Sequence, residues 1–292
     1  MRRGASAWAW TAQSASGLLD RMAGPLISFL SDFGTGSTPA VCRGVMWSIA
    51  PDARLLDLTH DVRQFAVRDG AFLLSRAVGY LPVGVHVAVV DPGVGTARRP
   101  VVVRAARGDL LVGPDNGLLL PAARELGGVT EAWEITNGDL CLPTVSSTFH
   151  GRDLFAPIAA HLAGGTDPAV VGPGADVASL VDLRFPEATA RDGGLDTAVL
   201  VIDRYGNARL AGQPADLAAV GGPRAPGREY RVIVGEHQLD VPWHATFGEV
   251  EPGAALLYED ADFGGLGIAV NQGSAAERLG LVLDTPVRIE PA

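Results

Sequence analysis

The stretch Val87-Ala-Val-Val-Asp-Pro-Gly-Val-Gly-Thr-Ala-Arg-Arg99 sets four apolar residues before an acid, turns on Pro92, Gly93 and Gly95, and ends on two arginines. Such a run reads as a buried strand whose C-terminal end presents a carboxylate, the edge at which ligands bind in open α/β sheets. Taken alone, the same residues also describe a strand end and a tight turn with its arginines in solvent. The grammar recurs upstream, where Pro25-Leu-Ile-Ser-Phe-Leu30 runs into Ser31-Asp32-Phe33-Gly34. Between the two lie a helical stretch from Ala40 to Ala50 with Val41, Val45 and Ile49 on one face, a strand Arg54–Leu58, and a second helix from about Val67 to Tyr80. Downstream, Val101–Arg104 and Leu110–Val112 flank Arg107-Gly108-Asp109 as a β-hairpin. A short helix at Leu118–Glu125, a strand at Ala132–Ile135 and a helix over Leu154–Leu162 follow. Alternation at this spacing predicts βαβ units and a largely parallel sheet.

After Leu183 the texture changes. The polar segment Arg184 to Asp196 reads as a linker. Beyond it, short β-type runs at Ala198–Ile202, Tyr230–Val234, Ala254–Tyr258, Gly267–Val270 and Pro286–Ile289 predict a small antiparallel barrel or sandwich. The expected organisation is a loose extension over 1–25, an α/β domain over 26–183, a linker over 184–196 and a smaller all-β, barrel-like domain over 197–292.

The 292 residues are 47% apolar and 19% charged, with 37 glycines and 20 prolines, so short elements joined by many turns are expected. A formal charge of −10 argues against nucleic acid, which needs a basic stripe, and is compatible with a cationic small ligand. No run approaches the ~18 apolar residues of a membrane span. Cys42 and Cys141 form no C-x-x-C motif and read as reduced thiols, and the N-terminus lacks a continuous apolar leader core, which together point to a cytoplasmic protein.

Acids and histidines gather at strand ends and loops: Asp32, Asp57, His60, Asp91 and His150. Carboxylates with imidazoles suit a metal, yet no pair stands at ligand spacing. The Gly93–Gly95 turn lacks the pattern of a phosphate loop. Gly113-Pro-Asp-Asn-Gly117 is first a turn, whose Asn116 and amides could equally approach a sugar or base. His86 and His161 read as structural, and His237 and His244 as solvated or packing residues.

Six motifs in order, Ser31-Asp-Phe-Gly34, Val90-Asp-Pro-Gly-Val-Gly-Thr-Ala-Arg98, Gly113-Pro-Asp-Asn-Gly-Leu118, Ser146-Ser-Thr-Phe-His-Gly-Arg-Asp153, Ile202-Asp-Arg-Tyr-Gly-Asn207 and Ala269-Val-Asn-Gln-Gly273, resemble the S-adenosyl-L-methionine (SAM) hydroxide adenosyltransferase family. These are adenosine-forming SAM hydrolases, related to the SAM-dependent fluorinase and chlorinase. The resemblance covers the chain from about residue 26 onward. It implies an α/β domain followed by a β-rich one, and a homotrimer that binds SAM between one subunit's first domain and a neighbour's second. No cofactor is implied, since SAM is the substrate and adenosine and L-methionine are the products. Asp91, Arg98 and His150 match the set that holds and activates water. Asp32, Phe65, Asn116, Phe149, Gly151, Asp203, Asn207 and Asn271 match substrate-binding positions: Asp32 on the ribose hydroxyls, Phe65 beside sugar and base, Asp203 and Asn207 at the methionine ammonium and the adenine edge.

The halogenase branch carries Tyr where Asp91 stands, Thr where Val94 stands and Ser or Gly where Gly151 stands, and the fluorinase inserts an extra loop for which residues 101–116 leave no room. Departures from the hydrolase pattern are Ser37, where a second Asp is common, and Asp262-Phe263-Gly264. The implied activity is attack of water at ribose C5′. The alternatives are a halide adenosyltransferase and a non-catalytic SAM or adenosine binder.

Overall fold

The computed structural model describes residues 24–260 and 265–292. Nearly all of the expected N-terminal extension, with Trp8 and Trp10, and the whole of Asp262-Phe263-Gly264 lie outside the described residues. The chain divides into two compact units between Leu183 and Arg184.

In the first unit, strands β1 (Leu26–Ser31), β2 (Arg54–Thr59), β3 (Val85–Val89), β4 (Pro100–Ala105), β5 (Leu110–Pro114) and β6 (Val129–Glu134) form one sheet in the order β2-β1-β3-β5-β4-β6. Pairings β2–β1, β1–β3 and β3–β5 are parallel, whereas β4 runs antiparallel to both β5 and β6. β1 and β3 are buried along their full length, as their near-continuous apolar sequences require of strands covered on both faces. β2, at the sheet edge, has only exposed and half-buried residues. The antiparallel corner follows from the β4–β5 hairpin, whose turn places Gly108 at φ 105, open to glycine at little cost.

Helices α1 (Ser37–Ile49), α2 (Val67–Val78), α3 (Leu120–Glu125) and α4 (Ala156–Ala163) cover this sheet. α1 packs on α4, which lies over β3 and β1, and α2 packs on α3. α1 starts at Ser37, earlier than Ala40, because Pro39 is accommodated in a first helical turn. Its buried face is Pro39, Cys42 and Met46, with Val45 and Ile49 partly covered, while Val41 is 44% exposed. The apolar stripe is thus rotated from the expected one and aims Cys42 and Met46 into the core with Ile27, Phe29, Val87, Phe155 and Ile158. Burying each such side chain is worth about 1.5–3 kcal/mol.

In the second unit, β7 (Thr189–Arg191), β8 (Gly194–Ile202), β9 (Ala208–Leu210), β10 (Glu229–Val234), β11 (His237–Pro242), β12 (Ala255–Asp260), β13 (Gly265–Val270) and β14 (Pro286–Pro291) form an antiparallel sheet in the order β11-β10-β14-β8-β9-β13-β12, with β7 added to β8. A bridge between Trp243 and Leu257 draws its two ends together, giving a nearly closed, barrel-like sheet. Leu195, Tyr230, Trp243, Leu257 and Ile289 fill it, and α5 (Pro214–Gly221) and α6 (Ala275–Leu279) complete the unit. The segment expected as a linker carries β7 and the start of β8, paired through Thr189↔Asp196.

Candidate active site

The site grows from the C-terminal ends of β1 and β3. Their parallel register pairs Ser31 with Val89, so the chains leave the sheet side by side and carry Asp32 and Asp91 to the same edge. Beyond Asp91 the backbone folds back in successive turns: Val94 N–H donates to the Asp91 carbonyl (3.2 Å), and Thr96 N–H and Oγ1–H donate to the Gly93 carbonyl (3.2 and 2.7 Å). Thr96 Oγ1 then accepts from Arg98 N–H (3.3 Å). The fold-back lets the Arg98 guanidinium grip Asp91 as a fork, Nε to Oδ1 at 3.1 Å and Nη2 to Oδ2. Bidentate pairs of this kind are strong and directional, and here the side chains of Arg98 and Asp91 are only 7% and 5% exposed.

His150 joins the pair from the loop before α4, its Nδ1 3.2 Å from Arg98 Nη2. Burial, and then the charge of Arg98, push the His150 pKa below the ordinary histidine value, while Asp91 and Asp153 pull the other way. The ring is therefore neutral near pH 7. With Nδ1 accepting from Arg98, its proton is assigned to Nε2, which faces onward as a donor. Arg98 Nη1 is buried without a hydrogen-bond partner among the described residues. The cluster thus combines spare carboxylate lone pairs with two unused N–H donors, the equipment for taking a proton from a small oxygen nucleophile while holding its oxygen.

Glycine makes the convergence possible. Gly95 sits at φ +75, and a Cβ there would lie 2.3 Å from the Ser147 carbonyl oxygen, so the Asp91 turn packs backbone to backbone against the loop that delivers His150. Gly95→Ala is expected to push the two apart. Because a displacement of about 1 Å costs on the order of 10²-fold in rate, its kcat should fall by about that factor, read in a steady-state assay beside a melting curve that confirms folding.

Asp153 organises the His150 loop. It is fully buried, and its carboxylate accepts from Ser146 N–H (2.9 Å) and Arg152 (2.5 and 3.1 Å), while its carbonyl accepts from Leu142 N–H (2.9 Å). Burial alone would raise the Asp153 pKa; the Arg152 and Ser146 hydrogen bonds outweigh it and lower it. His150 is followed by a single π-helical turn, Gly151–Phe155, which takes in the first two residues of the helix expected over Leu154–Leu162. Burial pushes the neighbouring Cys42 thiol up to about 12, so it is not a nucleophile.

The other expected residues of this unit lie as follows. Asp32 Oδ2 accepts from Phe65 N–H at 3.0 Å. Phe65 is 68% exposed and holds φ 65, a conformation that costs a bulky side chain about 1–2 kcal/mol. Phe149 meets Phe33 edge to face (5.6 Å, 79°) and lies under the Arg152 guanidinium (4.9 Å). Gly151 is pressed so closely on Phe33 that a Cβ would lie 2.6 Å from its Cζ. Asn116 is occupied internally, Nδ2 donating to the Val90 carbonyl (2.9 Å) and Oδ1 accepting from Leu118 N–H (3.2 Å).

In the second unit, Asp203 accepts from Tyr205 N–H (2.8 Å), Asn207 N–H (3.0 Å) and Asn207 Nδ2 (2.9 Å), which orders that loop from within. Asn271 donates to the Val250 carbonyl (2.7 Å).

The residues alone do not announce three further features. Arg99 pairs with Asp115 and donates to the Ser179 carbonyl (2.8 Å), so it ties the 176–183 segment to the sheet. His86 is structural as expected but belongs to a buried relay with Ser28 and Asp109. His60 lies between Ser31 and Asp57. The one signal in the sequence for the last two is a serine at positions 28 and 31 of an otherwise apolar strand. His244, read as a solvated or packing residue, has Glu249 at 3.8 Å. Among the described residues no group of three or more His, Cys, Asp or Glu is placed to hold a metal ion, and Cys42 and Cys141 are free thiols. None of the described helices is long and apolar enough to cross a membrane.

Fold and site define a two-unit protein: a mostly parallel α/β sheet bearing a carboxylate–guanidinium–imidazole cluster at its C-terminal edge, followed by an antiparallel barrel-like unit. Residues 27–172 match the SAM hydroxide adenosyltransferase N-terminal domain and residues 197–288 the corresponding C-terminal domain. The chain belongs to the SAM hydroxide adenosyltransferase family. It is 45% identical over 266 residues to an (R)-S-adenosyl-L-methionine hydrolase of Salinispora tropica, covering 91% of this chain and 97% of that one. A hydrolase of the same name from Thermus thermophilus is 41% identical (90% and 98% covered), and a fluorinase of Actinopolyspora mzabensis is 28% identical (92% and 98%). Among solved structures, an uncharacterised conserved protein of Thermotoga maritima superposes with a TM-score of 0.80 at 34% identity, covering 90% of this chain and 99% of that one.

Proposed function

We propose that this protein is a SAM hydrolase, converting SAM and water to adenosine and L-methionine by displacement at ribose C5′. The observation that carries the reading is the buried convergence of Asp91, Arg98 and His150, supported by relatives named for this activity at 41–45% identity. The SAM sulfonium makes methionine a neutral leaving group, so the C5′–S bond breaks with its electron pair going to sulfur as the C5′–O bond forms. What the site must supply is a positioned, partly desolvated oxygen nucleophile. Asp91 takes the proton of the attacking water. Arg98 fixes that carboxylate and, through Nη1, offsets charge developing on oxygen, and the Nε2–H of His150 orients the same oxygen. A halide needs no base and is disfavoured beside a carboxylate, which argues against the halogenase alternative.

On the substrate side, Asp32 holds the ribose diol and Phe65 lies along sugar and base, the role that its exposure and strained backbone suit. Asn116, Phe149 and Gly151 line the same site, while Asp203, Asn207 and Asn271 serve the methionine and adenine ends. No cofactor takes part in this reading, and a chelator leaves the rate unchanged. A homotrimeric assembly and a cytoplasmic location complete it.

The test is incubation with SAM, with and without chloride, followed by chromatography. Adenosine and methionine without halide are expected; halide-dependent 5′-halo-adenosine, or binding without turnover, overturns the reading. The site also has a pH signature. Protonated His150 would turn a donor toward Arg98 at the nitrogen that now accepts, so activity falls as pH drops through the His150 pKa. That value is depressed, so the acid limb of the kcat profile should lie below the ordinary histidine value of about 6.5, and this limb should be missing from the residual activity of His150→Ala.

A further inference from the structure

Asp57 and His60 stand out in the sequence, and the proposed chemistry uses neither. Both belong to a network under the ribose acid. His60 Nδ1 lies 2.8 Å from Ser31 Oγ, which also accepts from Phe33 N–H at 3.3 Å, so the serine hydroxyl is free to donate to the ring. On its other side, His60 Nε2 is 3.1 Å from Asp57 Oδ1, a close contact without the alignment of a hydrogen bond, and Asp57 is gripped by Arg43 of α1. The ring stands edge-on to Phe29, 4.7 Å between centroids, and the side chain is 11% exposed.

This resembles a hydrolase triad in composition but not in wiring. The imidazole meets serine through Nδ1 and the acid through Nε2, the reverse of a Ser–His–Asp nucleophile, and Ser31 is fully buried. What the network holds is backbone. The His60 carbonyl accepts from Gly34 N–H (2.7 Å), the Ser31 carbonyl from Val62 N–H (3.4 Å), and Asp32 Oδ2 from Phe65 N–H (3.0 Å). Asp32 is thus flanked in the chain by two residues that His60 binds, one through its ring and one through its carbonyl.

We propose that His60 is a positioning residue: through Ser31 and Gly34 it sets the carboxylate of Asp32 for the two ribose hydroxyls of the substrate. The proposal rests on the reading that Asp32 binds the ribose diol, and the experiment separates the two. Adenosine and 2′,3′-dideoxyadenosine are titrated by calorimetry into the full-length wild type, Asp32→Ala, His60→Ala, His60→Asn and Ser31→Ala. The wild type should prefer adenosine by about 10- to 100-fold, the size expected of hydrogen bonds to a charged group, and Asp32→Ala should lose that preference.

His60→Ala and Ser31→Ala should lose about tenfold of it while binding dideoxyadenosine as the wild type does. His60→Asn, which keeps a polar atom near the Nδ1 position, should recover most of it. Equal weakening for both nucleosides would mean a merely structural histidine, and an undiminished preference would mean one that does not act on Asp32; either overturns the proposal. A preference that survives in Asp32→Ala overturns the ribose reading itself, and the proposal with it. Should His60→Ala fail to fold, Ser31→Ala and His60→Asn carry the same comparison.

Discussion

Replacing Asp91 with asparagine is expected to lower kcat for adenosine formation by about 10²- to 10⁴-fold, the range typical of losing a positioned general base. The substitution keeps the size of the side chain but changes two things at once. The amide cannot take a proton from water, and its NH₂ group meets the fork of Arg98, in which Nε and Nη2 both donate to Asp91. One contact of the fork is therefore lost, and Arg98, 7% exposed, keeps its charge with an incomplete partner. Because Arg98 Nη2 also reaches His150 Nδ1 at 3.2 Å, rotation of the guanidinium carries over to the imidazole. A KM for SAM that changes much less than kcat would mark the loss as one of proton acceptance, since Asp32 and Phe65, not Asp91, are assigned to hold the nucleoside. A nucleophile that needs no deprotonation, such as azide, supplies the control: its transfer to C5′ should suffer less from Asp91→Asn than hydrolysis does. A wild-type rate of hydrolysis in this variant would remove Asp91 from the role of base.

The parallel half of the sheet is legible in the residues because β1 and β3 are buried on both faces and so must be apolar throughout. An acid closing each run marks the functional edge for the same reason. What spacing alone does not reveal is which distant residues meet there. Arg98 is brought onto Asp91 by hydrogen bonds of the Thr96 hydroxyl and of the backbone, and His150 by contact of Gly95 with the Ser147 carbonyl. Only the ordered motifs pointed to that trio. The histidine networks were hidden differently. His60 reaches Ser31, and His86 reaches Ser28 and Asp109, across neighbouring strands, so their partners depend on sheet order and register and not on proximity in the chain. The rotated face of α1 has a similar origin: Cys42 and Met46 turn inward because α4 and the sheet receive them there. The π turn after His150 is likewise set by tertiary contacts, among them the Asp153 carboxylate that holds the preceding loop.

The largest effect on stability is expected at Asp109, far from any proposed catalytic role. Ser28, His86 and Asp109 are each fully buried within the sheet. Ser28 Oγ lies 2.7 Å from His86 Nδ1, and His86 Nε2 lies 2.9 Å from Asp109 Oδ1, so one tautomer with its proton on Nε2 satisfies both contacts. Arg107 closes the relay with Nε at 2.7 Å and Nη2 at 2.8 Å from the two carboxylate oxygens, and Gly84 N–H adds a contact at 3.2 Å. Asp109→Ala leaves the buried His86 imidazole and the Gly84 amide without the acceptor they share, and takes two contacts from the Arg107 guanidinium, which is 30% exposed and keeps its bond to the Val78 carbonyl. Removing one member of such a buried, charged set costs about 3–5 kcal/mol. For a unit of this size that corresponds to a fall of about 6–20 °C in the melting temperature.

The pH dependence checks the cause. Burial alone would raise the Asp109 pKa, but the hydrogen bonds from Arg107 and His86 outweigh it and hold the carboxyl well below the ordinary range. A group whose folded-state pKa is depressed stabilises the fold above its unfolded value, and that contribution fades as pH falls toward the folded one. The melting gap between wild type and Asp109→Ala should therefore be full at neutral pH and narrow once pH drops below about 3.9, the ordinary aspartate value. A variant that melts with the wild type at pH 7 would show that the relay contributes nothing. A gap that persists unchanged into acid would assign the loss to the cavity left by the side chain and not to its charge.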